Sequence, residues 1–263
     1  KKYEKNGFDI FQGEKRKYAY GAEVAAPFDA RGIQLLTYRY KSADRPRAEA
    51  RNDDTWVYLP SLRRVRRIST AQRTDAISGT DFTLDDLFSF NGIPPQYEWT
   101  CVGQQKILAP MNTKVKGYPY EKDHDFGPYG LSFADDRWEL RDAWVVRMKP
   151  KNADHPYDHK DIYLDRQTLQ PLYSFAYDQK GELWKIIWHN HRWSEDESLT
   201  GEWFGGWDGV PKPRSLVVIS DIITNVQTGT GNRIEFWDAH GTPMSSKGKI
   251  RSYIDFGRLN RGR

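Results

Sequence analysis

The stretch that decides the fold runs from Thr55 to Phe90 and reads TWVYLPSLRRVRRISTAQRTDAISGTDFTLDDLFSF. It opens on an alternating aromatic segment, turns at Leu59-Pro60-Ser61, and continues with four arginines in five positions. Alternation with a period of two places successive side chains on opposite faces of a β-strand. The stretch therefore predicts a β-hairpin followed by a short, acidic, helix-like segment, and nothing in it is typical of a catalytic centre.

The two strands of this hairpin are predicted to present distinct faces. Trp56 and Tyr58 share one face of the first strand, and Arg64 and Arg66 share one face of the returning strand. An arginine fork matches the geometry of a carboxylate or a phosphate. Arg64 and Arg66 are therefore candidates for contact with an anionic head group or an acidic partner. The alternative is ion pairing within the chain, with the nearby aspartates of residues 75–86.

The segment Gly79–Phe90 predicts a helix. Thr80 or Asp81 would cap its N-terminus, and the two acidic residues that follow in its early turns suit the helix dipole. Much of its circumference is apolar, so it must pack against an apolar surface. The candidates for lining a ligand cavity come from the first strand and this segment: Trp56, Tyr58, Phe82, Leu84, Leu87 and Phe88.

The composition excludes several classes of protein. Aromatic residues make up 14% of the 263 residues, which is unlike a disordered chain. The net charge is only +4, and a nucleic-acid-binding protein would need a more concentrated basic face than the short arginine run. No run of about eighteen apolar residues occurs, so no transmembrane segment is expected. The single cysteine, Cys101, excludes an intrachain disulfide.

From residue 97 onward the pattern is almost purely β. The predicted strands cover residues 97–106, 138–148, 160–164, 172–177, 183–193, 215–221 and 233–237, after an earlier one at 33–40. Hairpin turns are predicted at residues 165–168 and 178–181 and in the TGTGN run at 228–232. Short strands at regular spacing indicate an antiparallel sheet, a sandwich or a barrel.

Two segments rich in glycine, proline and aromatic residues, 109–136 and 194–213, are predicted to be long loops, the first of them over a cavity mouth. No segment has the composition of a linker between domains. We therefore expect a single domain over residues 1–263, with residues 1–30 peripheral to it.

The candidate catalytic and metal-binding residues are few. His189 and His191 flank Asn190 and would share one face of a strand, as two ligands of a metal site that needs a third. The favoured interpretation is an outward polar face, and His155 and His159 are interpreted as part of a solvated loop. GxSxG, P-loop and HExxH motifs are absent from the sequence. The sequence therefore predicts a protein that is not an enzyme and has no cofactor and no metal.

Two runs carry a resemblance to a known family. One is DTWVYLPSLRRVRRIS with the GTDFTLDDL that follows it, and the other is HKDIYLDRQTLQPLYSFAYDQKGELWK at residues 159–185. They resemble a bacterial outer-membrane lipoprotein-sorting-like family of unknown function, related to the LolA and LolB carriers. The resemblance extends from about Tyr38 to Trp193.

The resemblance implies a mainly β (α+β) fold, in which a strongly curved antiparallel sheet forms an unclosed half-barrel and short helices plug its concave side. It also implies export to the periplasm, and a chain that opens on Lys1 without Met agrees with a removed signal peptide. Carriers of this fold hold acyl chains in the hollow. The implied partners are an efflux-type inner-membrane transporter and an outer-membrane protein.

The favoured function is thus a periplasmic carrier for a hydrophobic or lipidic molecule. Each buried methylene of such a cargo contributes about 0.8 kcal/mol to binding. The alternative is an interaction module, in which the protein's own side chains fill the interior and an exposed face docks on an outer-membrane or transporter partner.

Overall fold

The computed structural model describes residues 15–24, 30–44, 46, 50–69, 71–77, 79–111, 137–193, 216–235 and 251–261. The chain divides into two compact units. The first comprises residues 1–73, 93–95 and 242–263, and the second comprises residues 74–92 and 96–241. The single-domain organisation expected for residues 1–263, with a peripheral 1–30, stays a prediction.

The first unit contains a four-stranded antiparallel sheet in which neighbours in sequence are neighbours in space. Its strands are β1 (Arg16–Glu23), β2 (Gln34–Tyr40), β3 (Asp54–Leu59) and β4 (Arg64–Ile68). β3 and β4 form the predicted hairpin, in which Trp56 lies opposite Arg67 and Tyr58 lies opposite Val65. Arg63 adopts a left-handed backbone (φ 48°) at the turn. The aromatic alternation in β3 was therefore a correct strand signal.

The core of the first unit forms where this sheet packs against the C-terminal end of the chain. Leu36, Tyr38 and Tyr40 of β2 are buried together with Ile254 and Leu259. Leu259 belongs to the short helix α1 (Phe256–Arg261), and the Tyr38 hydroxyl donates a hydrogen bond of 2.7 Å to the Ile254 carbonyl. Apolar burial and one directional hydrogen bond thus fix α1 on the sheet.

The second unit contains a seven-stranded antiparallel sheet in the order β11-β10-β9-β8-β7-β6-β5. Its strands are β5 (Tyr97–Pro110), β6 (Trp138–Pro150), β7 (Tyr157–Asp165), β8 (Pro171–Asp178), β9 (Leu183–Trp193), β10 (Leu216–Asn225) and β11 (Thr230–Glu235). All seven were predicted, and β9 has the predicted bounds. The three predicted turns join β7 to β8, β8 to β9, and β10 to β11.

Aspartates and glycines shape these turns. Asp165 accepts hydrogen bonds from the backbone amide and the hydroxyl of Thr168. Asp178 accepts bonds from the amides of Lys180 and Glu182, and Gly181 takes a left-handed backbone (φ 78°). Short polar side chains that bond to their own backbone, and glycines without a Cβ, favour such tight reversals.

The predicted helix over Gly79–Phe90 is wrong in extent and type. Within this range the structure has one short 3₁₀ segment, Leu84–Ser89, which is interrupted by non-helical dihedrals at Leu87 and Phe88. Thr83, rather than Thr80 or Asp81, occupies the N-cap position, and it makes no capping hydrogen bond. The other short 3₁₀ helices are Lys41–Asp44, Ala71–Thr74 and Pro94–Gln96.

The fold class is mainly β, with two antiparallel sheets and a few short helices, and among the described residues neither sheet closes into a barrel. The strong curvature of the sheet and the helices plugging its concave side stay predictions. Strand β1 was not predicted, because its sequence RKYAYGAE shows little apolar alternation. The predicted loops lie largely outside the described residues, since residues 112–136 and 194–215 are not among them. None of the described helices is long and apolar enough to cross a membrane.

Candidate functional site

One face of the seven-stranded sheet carries buried polar side chains in place of a purely apolar core. Lys185, His189 and His191 alternate along β9 and therefore point to the same side. The register of β10 places Asp221 directly opposite His189, so Asp221 lies on this side as well. The segment Leu84–Ser89 contacts strands β8, β9 and β10. The side chains that link this segment to the sheet are called the polar site below.

The first half of the polar site is an ionic cluster around Asp86, which is fully buried. Lys160 Nζ donates to Asp86 Oδ1 at 2.6 Å, and the Tyr157 hydroxyl donates to Oδ2 at 2.8 Å. The Thr83 hydroxyl donates to Oδ2 at 2.9 Å, and Lys185 Nζ lies 3.6 Å from the same oxygen. The carboxylate is therefore surrounded by donors, as a buried charge requires.

These contacts shift the ionisation of the cluster. Burial by itself would raise the pKa of Asp86, but the charges of Lys160 and Lys185 and the hydrogen bonds to it outweigh burial and hold that pKa below its usual value. Burial, reinforced by the Asp86 charge, raises the pKa of Tyr157 well above its usual value. Burial lowers the pKa of Lys185 despite the nearby Asp86. Asp86 thus stays a carboxylate and Tyr157 stays a neutral donor at neutral pH.

The second half of the polar site is a hydrogen-bonded chain of three buried side chains. Ser89 Oγ lies 2.6 Å from His189 Nε2, and His189 Nδ1 lies 2.5 Å from Asp221 Oδ1. The other carboxylate oxygen of Asp221 accepts a bond of 3.1 Å from the backbone amide of Phe88. Lys160 Nζ also donates to the Ser89 carbonyl at 3.1 Å, which joins the two halves.

The backbone at this point is conformationally strained. Phe88 (φ 54°) and Ser89 (φ 65°) are consecutive non-glycine residues in the left-handed region. Each such residue costs on the order of 1 kcal/mol, and the surrounding contacts must hold it in place. The bonds from Phe88 to Asp221 and from Ser89 to His189 supply such contacts.

Asp81 attaches the start of the same segment to the end of the sheet. Asn225 Nδ2 donates to Asp81 Oδ1 at 2.8 Å, and the Thr230 hydroxyl donates to Oδ2 at 2.7 Å. The Asp81 amide donates to Asn232 Oδ1 at 2.6 Å, and Lys185 Nζ donates to the Asp81 carbonyl at 2.8 Å. The β10–β11 hairpin thus contributes structural partners for the segment.

His189 and His191 do share one face, as predicted, but their interpretation as an outward polar face is wrong. Both side chains are fully buried, and their ring centroids lie 6.2 Å apart. Burial, with a smaller effect of His189, lowers the pKa of His191 to about 3, so this imidazole is neutral. The described residues hold no group of three His, Cys, Asp or Glu side chains arranged for a metal ion.

The other histidine pair is less solvated than the sequence predicted. His155 is buried and packs edge-on against the ring of Tyr97, with centroids 6.0 Å apart. Burial lowers its pKa. His159 stacks on Tyr177 at 4.3 Å and lies 2.7 Å from the neighbouring Asp158. Both imidazoles therefore have a structural role in packing against neighbouring aromatic rings.

Residues 1–230 match the model of a family described as a protein of unknown function (DUF1329). The chain belongs to this family. A relative in Pseudomonas aeruginosa, named only as an uncharacterized protein, is 29% identical over 175 residues, which are 64% of this chain and 37% of that protein. The chain therefore matches little more than a third of that relative's length.

Two solved structures resemble this DUF1329 chain in fold. A domain from Vibrio parahaemolyticus, named for outer membrane lipoprotein sorting, has a TM-score of 0.59 and 19% identity, and the match covers 95% of this chain and 80% of that one. A DUF1329 family protein from Desulfovibrio piger has a TM-score of 0.52 and 18% identity, with 91% and 75% covered. At these identities the likeness shows the fold alone, and together with the family model it confirms the family resemblance found in the sequence.

The cavity-lining residues predicted for this DUF1329 protein belong to both units. In the first unit Trp56 and Tyr58 pack against the core of the four-stranded sheet. The Trp56 ring lies 5.0 Å from the Tyr38 ring and 5.1 Å from the Phe256 ring, measured between centroids. Trp56 is therefore engaged in packing between β3, β2 and α1.

In the second unit, Leu84 and Leu87 are buried, Phe82 is partly buried, and Phe88 is 41% exposed. Of these four side chains, Phe88 offers the largest apolar surface to solvent. The role of all six residues as cavity lining stays a prediction.

Arg64 and Arg66 are exposed on β4, at the edge of the first sheet. Neither makes a salt bridge or side-chain hydrogen bond with any residue that the structure describes. Their neighbour Arg67 differs, because it pairs with Asp54. Of the aspartates proposed as partners for the arginines, Asp86 pairs instead with Lys160.

A small cleft in the first unit lies between β1, β2 and the C-terminal residues, and Leu35, Tyr253 and Leu259 are among its lining residues. Its volume of about 10 Å³ has room for about one water molecule. This cleft is too small to hold an acyl chain.

Sequence reasoning missed the polar site almost entirely. Ser89 carried no motif, Asp221 lay inside an apolar strand, and Lys160 stood in a charged run. One signal was available in the sequence of β9. Lys185, His189 and His191 are polar, but they lie on the same face of the strand as the buried Ile187. Charged residues on an apolar face are rarely fully buried unless they are paired.

Proposed function

We propose that this DUF1329 protein is a periplasmic carrier or binding protein for a hydrophobic or lipidic molecule. The observation that supports it is the fold likeness, over 95% of the chain, to a domain named for outer membrane lipoprotein sorting. We further propose that it exchanges its cargo with an efflux-type inner-membrane transporter and an outer-membrane protein. The family resemblance of the sequence supports these partners.

Apolar surface near the polar site supports an apolar cargo. Phe88 is 41% exposed, while Leu84 and Leu87 of the same segment are buried, so an acyl chain that contacts Phe88 covers apolar surface that is otherwise exposed to water. A cargo that buries about ten methylenes gains roughly 8 kcal/mol before the costs of association are subtracted. Binding of this strength needs no charged contact.

Arg64 and Arg66 are proposed to contact the anionic head groups of the membrane that supplies the cargo. Both are exposed and lack ion-pair partners among the described residues. Leu62, in the turn between β3 and β4, is also exposed. A hairpin that presents cationic and apolar side chains together suits an anionic lipid surface.

The direct test is a titration of delipidated protein with dansyl-undecanoic acid, followed by the rise in dansyl fluorescence. The carrier proposal expects saturable binding in the micromolar range or tighter. Replacement of Phe88 by Ser should weaken binding, and the matched change of the exposed Val226 to Ser should leave it unaltered. Absence of saturable binding by the wild-type chain would overturn the carrier proposal.

The head-group role is tested separately with a pair of double variants. Arg64→Gln/Arg66→Gln should weaken binding of the protein to vesicles that contain an anionic lipid but leave binding to neutral vesicles unchanged. Lys106→Gln/Lys180→Gln removes the same charge from two exposed residues of the second unit and serves as control. Equal losses for anionic and neutral vesicles, or equal losses in the control, would contradict the assignment of Arg64 and Arg66.

One observation favours the alternative, an interaction module. Leu108 and Leu140 lie opposite each other on β5 and β6 and are 59% and 64% exposed, next to the exposed Trp138. Contiguous exposed apolar side chains mark surfaces that bind proteins. The alternative expects no copurified lipid in a native mass spectrum and no probe binding. It also expects that Leu108→Ser/Leu140→Ser reduces cosedimentation of the protein with cell-envelope membranes. A lipid adduct that survives gentle desolvation would instead support the carrier.

A further inference from the structure

The chain Ser89–His189–Asp221 has no role in the proposed carriage of a lipid. Its two contacts, Ser89 Oγ to His189 Nε2 at 2.6 Å and His189 Nδ1 to Asp221 Oδ1 at 2.5 Å, are both within hydrogen-bond distance. A serine bonded to a histidine that a carboxylate in turn orients is the arrangement that activates a serine as a nucleophile. It is recognised by geometry and roles, since it occurs on unrelated folds in different sequence orders.

The donor and acceptor roles follow from the partners. A carboxylate accepts, so the Asp221 contact assigns a proton to Nδ1; with the imidazole in this tautomer, Nε2 accepts from the Ser89 hydroxyl. Asp221 is itself fixed by the Phe88 amide at 3.1 Å. The tautomer is therefore the one in which His189 can take the proton of Ser89.

The backbone at Ser89 adds a second, independent observation. Ser89 and Phe88 both have positive φ values, 65° and 54°. A nucleophilic serine on a sharp, strained turn is the arrangement in which the hydroxyl of an α/β-hydrolase is presented to its substrate. Strained non-glycine residues are concentrated at active sites and at segments that switch conformation.

Other buried serines of the same sheet differ. Ser174 on β8 and Ser220 on β10 are fully buried, and their hydroxyl groups have no hydrogen-bond partner. The histidine is thus bonded to Ser89 selectively, and Ser174 provides a matched control.

We propose that Ser89 is a nucleophile that accepts an acyl group from a carboxylic ester, with His189 as general base and Asp221 as a positioning residue. Ser89 Oγ attacks the carbonyl carbon, and its proton passes to His189 Nε2. The ester C–O bond breaks, and the alcohol leaves with that proton. Water then attacks the acyl-serine with His189 again as base, which releases the acid and restores Ser89. The proposal goes beyond carriage and is independent of it.

Access and acyl preference follow from the surroundings. Ser89, His189 and Asp221 are fully buried, so the ester reaches Ser89 when neighbouring side chains move aside while the Ser89–His189 hydrogen bond is kept. Phe88, the preceding residue, is exposed and apolar. An ester of an apolar acid therefore fits better than a charged one.

The experiment is covalent labelling of the full chain with an alkyl fluorophosphonate, which reacts with activated serines, read by intact mass and peptide mapping. We expect one adduct on Ser89, which Ser89→Ala removes and Ser174→Ala retains. His189→Gln should slow labelling about a hundredfold, the usual contribution of a general base. Asp221→Asn should change the pH profile of labelling, which a purely structural role would leave unaltered. Near-ultraviolet circular dichroism checks that each variant is folded.

Three results would overturn the proposal. The first is a wild-type chain that acquires no adduct over the full incubation. The second is an adduct that persists in Ser89→Ala, which places the reactive group elsewhere. The third is labelling of folded His189→Gln at the wild-type rate. Labelling is read without any lipid cargo, so its failure and the failure of the carrier proposal are distinguishable.

Discussion

Asp86 in the second unit and Asp54 in the first unit have similar partners and different environments. Asp86 is fully buried, and its partner Lys160 is 1% exposed. Asp54 is 11% exposed, while its partners Arg51 and Arg67 are 57% and 67% exposed. Among the residues that the structure describes, each aspartate has two ionic partners. The comparison indicates that burial, and not the number of ion pairs, sets what each aspartate contributes to stability.

The pKa values of both aspartates are lowered, and the sign of the pH dependence is the same. Burial raises the pKa of Asp54, but hydrogen bonds from Tyr40 and Arg67 outweigh it. A carboxyl whose pKa is lower in the folded state stabilises the protein above its unfolded pKa of about 3.9. That contribution is lost as the pH falls through the folded pKa, so both sites weaken only in acid.

The largest expected effect comes from Asp86→Asn. The substitution keeps the shape but leaves Lys160 buried without its counter-charge, so we expect a loss of about 3–5 kcal/mol in the free energy of unfolding. Urea denaturation followed by circular dichroism measures it. The double variant Asp86→Asn/Lys160→Met should recover much of the loss, since it removes the unpaired charge. A loss below about 1 kcal/mol in the single variant would mean that the buried pair contributes no more to stability than an exposed ion pair.

The second largest effect is expected when Asp86 loses a hydrogen bond from a neutral donor. Tyr157→Phe removes the hydroxyl that donates to Asp86 at 2.8 Å. A hydrogen bond to a charged group contributes about 1.5–3 kcal/mol, and we expect a loss in that range by urea denaturation. Tyr163→Phe, on the same strand β7, removes a hydroxyl with no hydrogen bond among the described residues. Similar losses in the two variants would show that the Asp86 bond is not the cause.

The third prediction concerns the pH dependence of stability that follows from the burial of His191. His191 is buried and its pKa is about 3, against about 6.5 when unfolded. At pH values between these two pKa values, His191 is protonated in the unfolded chain and neutral in the folded protein. The free energy of unfolding therefore rises with pH, by up to about 1.4 kcal/mol per pH unit, and this rise ends above pH ~6.5. His191→Gln should flatten the dependence of urea midpoints on pH in this window. An unchanged slope would mean that another group causes it.

Some of the fold follows from local sequence. The aspartates at residues 165 and 178 supply their own turn hydrogen bonds, so the turns around β8 could be located from composition. Strand β9 follows directly after one of these turns and is apolar at most positions from Leu183 to Trp188, and its bounds were predicted without error. Local signals of this kind act within about four residues and need no partner from elsewhere in the chain.

The polar site could not be located in the same way, because its contacts join residues far apart in sequence. Ser89 meets His189 across 100 positions, and Phe88 meets Asp221 across 133. These bonds also explain the failed helix prediction, since they hold Phe88 and Ser89 in left-handed conformations that a helix does not allow. Alternation placed His189 and His191 on one face, but which face is buried depends on strand register.

The smallest expected effect is that of Arg67→Gln, the counterpart of Asp86→Asn in the first unit. The Arg67 side chain is 67% exposed where it pairs with Asp54, and Arg51 remains 3.1 Å from the same carboxylate. An exposed pair contributes about 0.2–1 kcal/mol, so the free energy of unfolding should fall within that range. The difference from wild type should shrink in 1 M NaCl, where the screening length is about 3 Å. A salt-independent loss above about 2 kcal/mol would show that Arg67 acts through packing, and the contrast between the two aspartates would then not be one of burial.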